Sequence, residues 1–314
     1  MLLPYRVDVP FDRRPVMNWF VCLAVLGVFA LQILELARLL AENPESDFGL
    51  ASGAMTQFVL KGWSIRGLFG YMWLHGGLIH LLGNLIFLWL FGNAVCSKLG
   101  NLLYLPVYVG LGVFAGLAHL ILPGGGLVLG ASGAINGIVG MYLIFFPQND
   151  ISCFFLLLWY PVRFTLSSYW MILCWFAFDV WGLLFGTRMV AYDTHVGGFV
   201  GGFVLAIVLL KTGRVGMQRD ETTLLELLGI DPQPGWRRRR SRIAAEGDSR
   251  HVGRIAPKTP VEPEPETIPF DSEPPPEVIR FICECGKKVK VPARYAGRKG
   301  KCPRCGRKLK IPPS

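Results

Sequence analysis

Apolar runs of about 20 residues recur along this chain, and no other feature narrows its folding options as much. A bilayer core is crossed by about 20 apolar helical residues, and six candidate spans are read, at about 17–40, 78–97, 102–122, 131–147, 167–186 and 194–211. Composition agrees: 52% of the 314 residues are apolar and only 17% are charged, which excludes an ordinary soluble enzyme. Lipid offers no hydrogen-bond partner to a bare backbone, so each run is expected as a helix. The expected fold is an all-α polytopic six-helix bundle. Residues 150–165, around ISCFFLLLWYPVRF, are too short to cross and carry Pro161 and Arg163, so they are expected as a loop at the interface. The polar start, MLLPYRVDVPFDRRP, does not read as a cleavable signal peptide.

Orientation follows from basic residues, which favour the cytoplasmic side. With the N-terminus inside, Arg6, Arg13, Arg14, Lys98, Arg163, Lys211, Arg214 and Arg219 face the cytoplasm, and only Lys61, Arg66 and Arg188 lie outside. Both ends are therefore expected in the cytoplasm of a multi-pass protein, with a bacterial inner membrane as the expected location. Residues 1–16 form a cytoplasmic N-terminal segment and 17–211 the membrane domain. Residues 212–278 form a linker, first basic through Trp236-Arg237-Arg238-Arg239-Arg240, then Pro/Glu-rich through APKTPVEPEPETIPFDSEPPPEV. Such a composition builds no core and is expected to be disordered, while the arginine run is expected to touch anionic lipid.

Residues 279–314 differ again, with twelve Lys/Arg against one acid, Glu284. Cys283-x-Cys285 and Cys302-x-x-Cys305 are two knuckles, each followed by glycine and a short basic-apolar strand pattern. Four thiolates in two pairs suit tetrahedral zinc, and so small a module has little core without a metal. Two disulfides would be the alternative, which a cytoplasmic location disfavours. The module resembles a zinc ribbon holding structural zinc, although its first knuckle is CxC rather than CxxC. Its positive charge allows a protein, anionic-lipid or nucleic-acid partner; one aromatic, Tyr295, offers little base stacking.

Polar side chains inside a membrane are costly and mark function. The stretch HGGLIHLLGN holds His75, His80 and Asn84, the last two four residues apart on one face of span two. GASGAINGIVG opens span four with Ser132 among glycines, and Asp193-Thr194-His195 opens span six, followed by GGFVGG. Spans two, four and six run in the same direction, so these three clusters share one depth on the outer side. A serine becomes nucleophilic when a histidine takes its proton, and the resulting oxyanion needs donors aimed at it. His80, Asn84 and the backbone N–H groups of Gly130, Ala131 and Ser132, at a helix N-terminus, are candidates. Gly133-x-x-x-Gly137 and Gly198-x-x-x-Gly202 would let spans four and six approach closely, bringing Ser132 within hydrogen-bond reach of His195. Asp193 stands in the loop, His119 is expected as a paired structural histidine, and Asp179, alone in span five, as an interhelical hydrogen-bond partner.

Together GASG, H-x4-H-x3-N and H-x2-G-x3-G, in the order of the family's motifs over residues 15–211, resemble the signatures of rhomboid intramembrane serine proteases. The resemblance implies Ser132 as nucleophile, His195 as base of a dyad, and His80 and Asn84 in the oxyanion hole. It places Gly130 in the loop beside the serine and gives His75 a more structural role. It implies cleavage of transmembrane segments of other membrane proteins near the outer interface, without a catalytic cofactor, and associates span five with substrate entry. The alternative is a non-catalytic rhomboid-like factor that binds membrane proteins for quality control; the presence of both dyad members favours the enzyme. Three positions depart from the family's pattern. Ile65-Arg66-Gly67 replaces its Trp-Arg pair, Asn136 stands where a histidine-packing tyrosine is common, and Thr194 replaces an alanine.

Overall fold

Within hydrocarbon a helix closes its backbone hydrogen bonds inside its own segment, and the apolar runs are helical in the computed structural model of this chain. It describes residues 2–122, 126–157, 160–186, 190–218, 221–232, 278–282, 288–292, 296–297, 299–301 and 308–312. Two compact units divide the chain, Met1–Gly253 and Arg254–Ser314.

In the first unit, α1 spans Val16–Glu42 and a short α2 spans Ile65–Gly70. Helix α3 (Leu78–Phe87) continues through a π-helical turn, Leu88–Gly92, into α4 (Asn93–Leu99). Then come α5 (Asn101–Ile121), α6 (Ser132–Phe145), α7 (Ser168–Phe185) and α8 (Tyr192–Lys211). Among the described residues, five helical rods are long and apolar enough to cross a membrane: α1, Leu78–Leu99, α5, α7 and α8. The remaining one, α6, has 14 residues, about 21 Å at 1.5 Å per residue, against a hydrocarbon core of about 30 Å. It lies inside the unit, against α5 and α8, and all its residues are buried except Ser132 and Asn136. The rods at the periphery show the opposite pattern. Phe20, Leu23 and Leu34 of α1 and Trp170, Phe178 and Trp181 of α7 are exposed. Apolar surface outside and glycine inside is the arrangement of a polytopic membrane bundle.

The expectation of an all-α unit needs correction. Strand β1 (Leu2–Val7) pairs antiparallel with β2 (Asp150–Leu157), and β2 with β3 (Tyr160–Ser167). Residues 150–157 and 160–165 thus belong to paired strands rather than to an interfacial loop. Burial alternates along β2, with Ile151 and Cys153 fully buried and Ser152 and Phe154 half-buried, as a strand with one face on a core requires. Pro161 is accommodated because β3 is an edge strand. At Pro4 the register with β2 shifts.

Where α1, α4 and the start of α5 meet, the buried polar groups satisfy one another. Asn18 Nδ2 donates to Leu88 O (2.9 Å), at the π-helical turn, and to Asn93 Oδ1 (2.8 Å). The Tyr104 hydroxyl donates to Asn18 Oδ1 (2.6 Å). Asn101 Oδ1 accepts from the N–H of Met17 in the first turn of α1 (3.0 Å). Lys98, its side chain 1% exposed, bridges Asp12 (2.8 Å) and Glu221 (2.6 Å).

Glu221 belongs to a stretch expected as disordered linker. Residues 221–232 instead carry α9 (Leu224–Leu227), whose Thr223 and Glu226 form a reciprocal capping box. Leu225 and Val215 are buried, and Lys211 Nζ donates to Asp231 O (2.6 Å). Apolar anchors and a buried ion pair hold the start of the linker on the helical unit. The arginine run and the Pro/Glu stretch lie outside the described residues.

In the second unit, β4 (Val278–Ile282) pairs antiparallel with β5 (Lys288–Pro292), and β6 (Lys299–Lys301) with β7 (Lys308–Lys310). The four cysteines of the expected zinc site, Cys283, Cys285, Cys302 and Cys305, lie outside the described residues.

Candidate active site

Glycine contacts bring the first turns of α6 and α8 together. A methyl group added at Gly202 would overlap the carbonyl oxygen of Gly137, and one at Gly198 that of Gly133. One at Gly137 would lie 3.1 Å from Gly198 O, and one at Gly133 would lie 3.4 Å from Thr194 Cβ. Helices that touch backbone to backbone hold side chains at their starts in fixed relation. Ser132 is the residue before Gly133 and His195 the residue after Thr194. The hydrogen bond expected between them is not found among the described residues, where Ser132 O accepts from Asn136 Nδ2 and His195 Nδ1 meets Asp179 Oδ1. Catalytic hydrogen bonds are commonly long until substrate closes the site.

Gly130 has φ +129, a backbone state that L side chains rarely adopt. The space beside it is also taken: a Cβ there would lie 2.7 Å from His80 Cε1 and 3.7 Å from Asn84 Nδ2. The imidazole of His80 and the amide of Asn84 therefore converge on the backbone just before Ser132, from one face of α3. Ala131, between Gly130 and the serine, is fully buried as the residue capping α6. The loop is fixed from behind, since Gly130 N–H donates to Tyr71 O (2.9 Å). Asn84 Nδ2 is buried and finds no acceptor among the described residues. His75 Nδ1 and Nε2 and the Tyr108 hydroxyl are also buried without a partner among those residues, so the Asn84 amide marks the site through its place beside Gly130.

His75 is fully buried, its ring edge-on to His80 with centroids 5.2 Å apart. Its backbone is clamped by Gln32 of α1, which accepts from His75 N–H (3.0 Å) and donates to His75 O (3.1 Å). The residue thus fixes the approach to α3 and backs the His80 ring. Asn136 donates through Nδ2 to Ser132 O (3.1 Å), a bond within the first turn of α6 rather than a contact with His195.

Two partners of His195 escape a reading by motif. Its Nδ1 lies 3.0 Å from Asp179 Oδ1 of α7, and the ring of Tyr192 meets it nearly perpendicular, at 80° and 6.2 Å between centroids. Asp179 is visible in the sequence as a lone acid in an apolar span, but its partner depends on how two helices are rotated. Asp193, by sequence a loop residue, is instead buried in the first turn of α8. There its Oδ2 binds His119 Nδ1 (2.8 Å) and its Oδ1 accepts from Thr194 N–H (2.7 Å).

The described unit is an integral multi-pass membrane bundle in which a serine, two histidines and an unpartnered amide gather at helix starts. Comparison with known proteins shows what this unit is similar to. Residues 62–212 match the family model described as Rhomboid domain. The chain is 27% identical over 132 residues to the mouse (Mus musculus) "Presenilin-associated rhomboid-like protein, mitochondrial", covering 41% of this chain and 34% of that protein. It is 30% identical over 139 residues to "Putative rhomboid protease YdcA" of Bacillus subtilis (strain 168), covering 44% and 64%. With "RHOMBOID-like protein 5" of Arabidopsis thaliana it shares 29% over 168 residues, covering 52% and 50%. The chain thus spans about a third of the length of the mouse relative and about half to two thirds of the other two. These matches support the rhomboid family for the helical unit.

Proposed function

We propose that the protein is a rhomboid-type intramembrane serine endopeptidase that cuts transmembrane segments of other membrane proteins. Ser132 Oγ attacks the scissile carbonyl and His195 takes its proton. Because Nδ1 of His195 is engaged by Asp179, the proton goes to Nε2. The oxyanion is met by Asn84 Nδ2, His80 and the backbone N–H groups beside Gly130, donors that act where charge develops. The tetrahedral intermediate collapses, His195 returns the proton to the leaving amine, and water, activated by the same base, releases the acyl group from Ser132. The observation that carries this reading is the convergence of His80 and the orphaned amide of Asn84 on Gly130, two residues before Ser132.

In this reading the chain crosses the membrane six times, α6 being the short central crossing. Both termini are cytoplasmic and the site lies towards the outer face, where a substrate helix can unwind. The C-terminal unit is a four-cysteine zinc ribbon. By sequence, Cys283 and Cys285 fall between the paired strands β4 and β5, and Cys302 and Cys305 between β6 and β7. Four thiols in two pairs are a donor set that Zn²⁺ takes tetrahedrally, and bound zinc would supply the stability that such a small core lacks. Metal analysis of the purified full chain should give about one zinc per molecule, lost in Cys302→Ser; a metal-free parent would remove this assignment.

The test of the proteolytic reading is cleavage of a reporter transmembrane substrate in proteoliposomes. The parent should cut it, and Ser132→Ala and His195→Ala should not. Equal product from the parent and Ser132→Ala would overturn the mechanism.

A further inference from the structure

Asp179 is the only charged residue of α7, the span least enclosed by the rest of the unit. An ionisable side chain in such a helix is costly unless it is paired. Its observed partner is His195 Nδ1, at 3.0 Å, each side chain less than one-fifth exposed. We propose that Asp179 is a positioning residue for the reaction: its carboxylate holds His195 in the Nδ1–H tautomer and so orients the base for Ser132. The inference rests on the proteolytic reading given above.

Three observations converge on it. The first concerns chemistry at the imidazole. A neutral ring has one N–H and one lone pair, and a carboxylate can only accept. Asp179 therefore selects the tautomer with its proton on Nδ1, leaving the Nε2 lone pair free for the serine proton, and it stabilises the imidazolium formed at that moment. The second concerns the ring's other neighbours. Tyr192 meets it edge-on, in the space left open by two glycines of the α7 end, since a methyl group at Gly182 would overlap the Tyr192 ring and one at Gly186 would lie 2.9 Å from it. Asn136, four residues after Ser132, bonds to its own helix rather than to the base. Orientation of His195 thus rests on Asp179 and Tyr192. The third is exclusion of the nearest competing acid: Asp193 is committed to His119 and to Thr194 N–H.

The pair also links α7 to α8 by a polar contact among apolar ones, so its loss would be felt at the base before it was felt in the bundle. Cleavage kinetics of full-length protein in proteoliposomes, with ¹⁵N-histidine spectra at a pH where imidazole is neutral, test the proposal; the His195 signal is assigned by its disappearance in His195→Gln. In the parent, His195 should carry its proton on Nδ1. Asp179→Asn should lower kcat by about 10²-fold or more, following the loss seen when the carboxylate of a serine protease triad is removed, with KM little changed. Asp179→Glu, which keeps the carboxylate, should recover much of the loss. A parent with the proton on Nε2, or Asp179→Asn with parental kcat, would overturn the proposal. The parental tautomer decides even where a variant folds poorly. Loss of cleavage in Ser132→Ala together with full activity in Asp179→Asn would sink this inference alone, whereas cleavage by Ser132→Ala would sink the proteolytic reading beneath it.

Discussion

The rod Leu78–Leu99 carries buried polar groups at both ends, and the two ends treat them in opposite ways. Near its C-terminal end, Lys98 is held between two carboxylates, and Asn93 and Leu88 O are satisfied by Asn18, which also receives the Tyr104 hydroxyl. Near its N-terminal end, Asn84 Nδ2 has no acceptor among the described residues and His80 is exposed. The serine beside them accepts from Asn136 through its backbone oxygen. Not every polar group at that end is left open: His119 is paired with Asp193, and His195 with Asp179. The contrast teaches where to look for chemistry. A satisfied buried network rigidifies a fold, whereas an orphaned buried donor beside a potential nucleophile is a cost that folding alone does not explain.

If the C-terminal end of the rod is structural, Lys98→Ala should remove about 3–5 kcal/mol of stability by breaking the buried pairs of Lys98 with Asp12 and Glu221, read as a lower thermal midpoint in detergent. The double replacement Lys98→Met with Glu221→Leu should recover most of that loss, because a buried ion pair exchanged for apolar packing is often neutral. If the N-terminal end is chemical, Asn84→Leu should behave in the reverse sense. It removes an unsatisfied donor, so the thermal midpoint should hold or rise, while kcat falls by about 10²–10³-fold, the usual effect of losing one oxyanion donor. A parallel drop in both quantities would erase the contrast between the ends. Gly202→Ala should cost about 1–3 kcal/mol, since the added methyl group forces α6 and α8 apart, and should lower activity through stability. Thr223→Ala, removing the capping box of α9, should cost about 1 kcal/mol and leave cleavage at the parental rate, a control for the idea that the clasp around Glu221 is structural.

These expectations draw on features that differ in how far the sequence discloses them. The five long rods are legible because apolar length is a one-dimensional property. Gathering of His80, Asn84 and Ser132 at helix starts is legible too, since a four-residue spacing puts two side chains on one helical face and span direction sets depth. The pairing of β2 with β3 is not. Six consecutive apolar residues, Cys153 to Leu158, conceal the two-residue alternation by which strands are read, and the partner strand β1 is more than 140 residues away by sequence. Nor is the pairing of Asp179 with His195, which depends on the rotation of α7 about its axis rather than on any spacing. Ordering of residues 221–232 is hidden for a related reason. A capping box and one buried leucine are weak local signals, and part of what holds the stretch is Lys98, which lies 123 residues earlier.

The central claim is that Ser132 is a nucleophile activated by His195. Its most direct test is to treat the folded protein in lipid with a fluorophosphonate and map the adduct by mass spectrometry. The account predicts a single adduct on the Ser132 hydroxyl, lost in Ser132→Ala and strongly reduced in His195→Ala. Protein that cleaves a transmembrane substrate yet carries no adduct at Ser132, or carries it on another residue, would contradict the account.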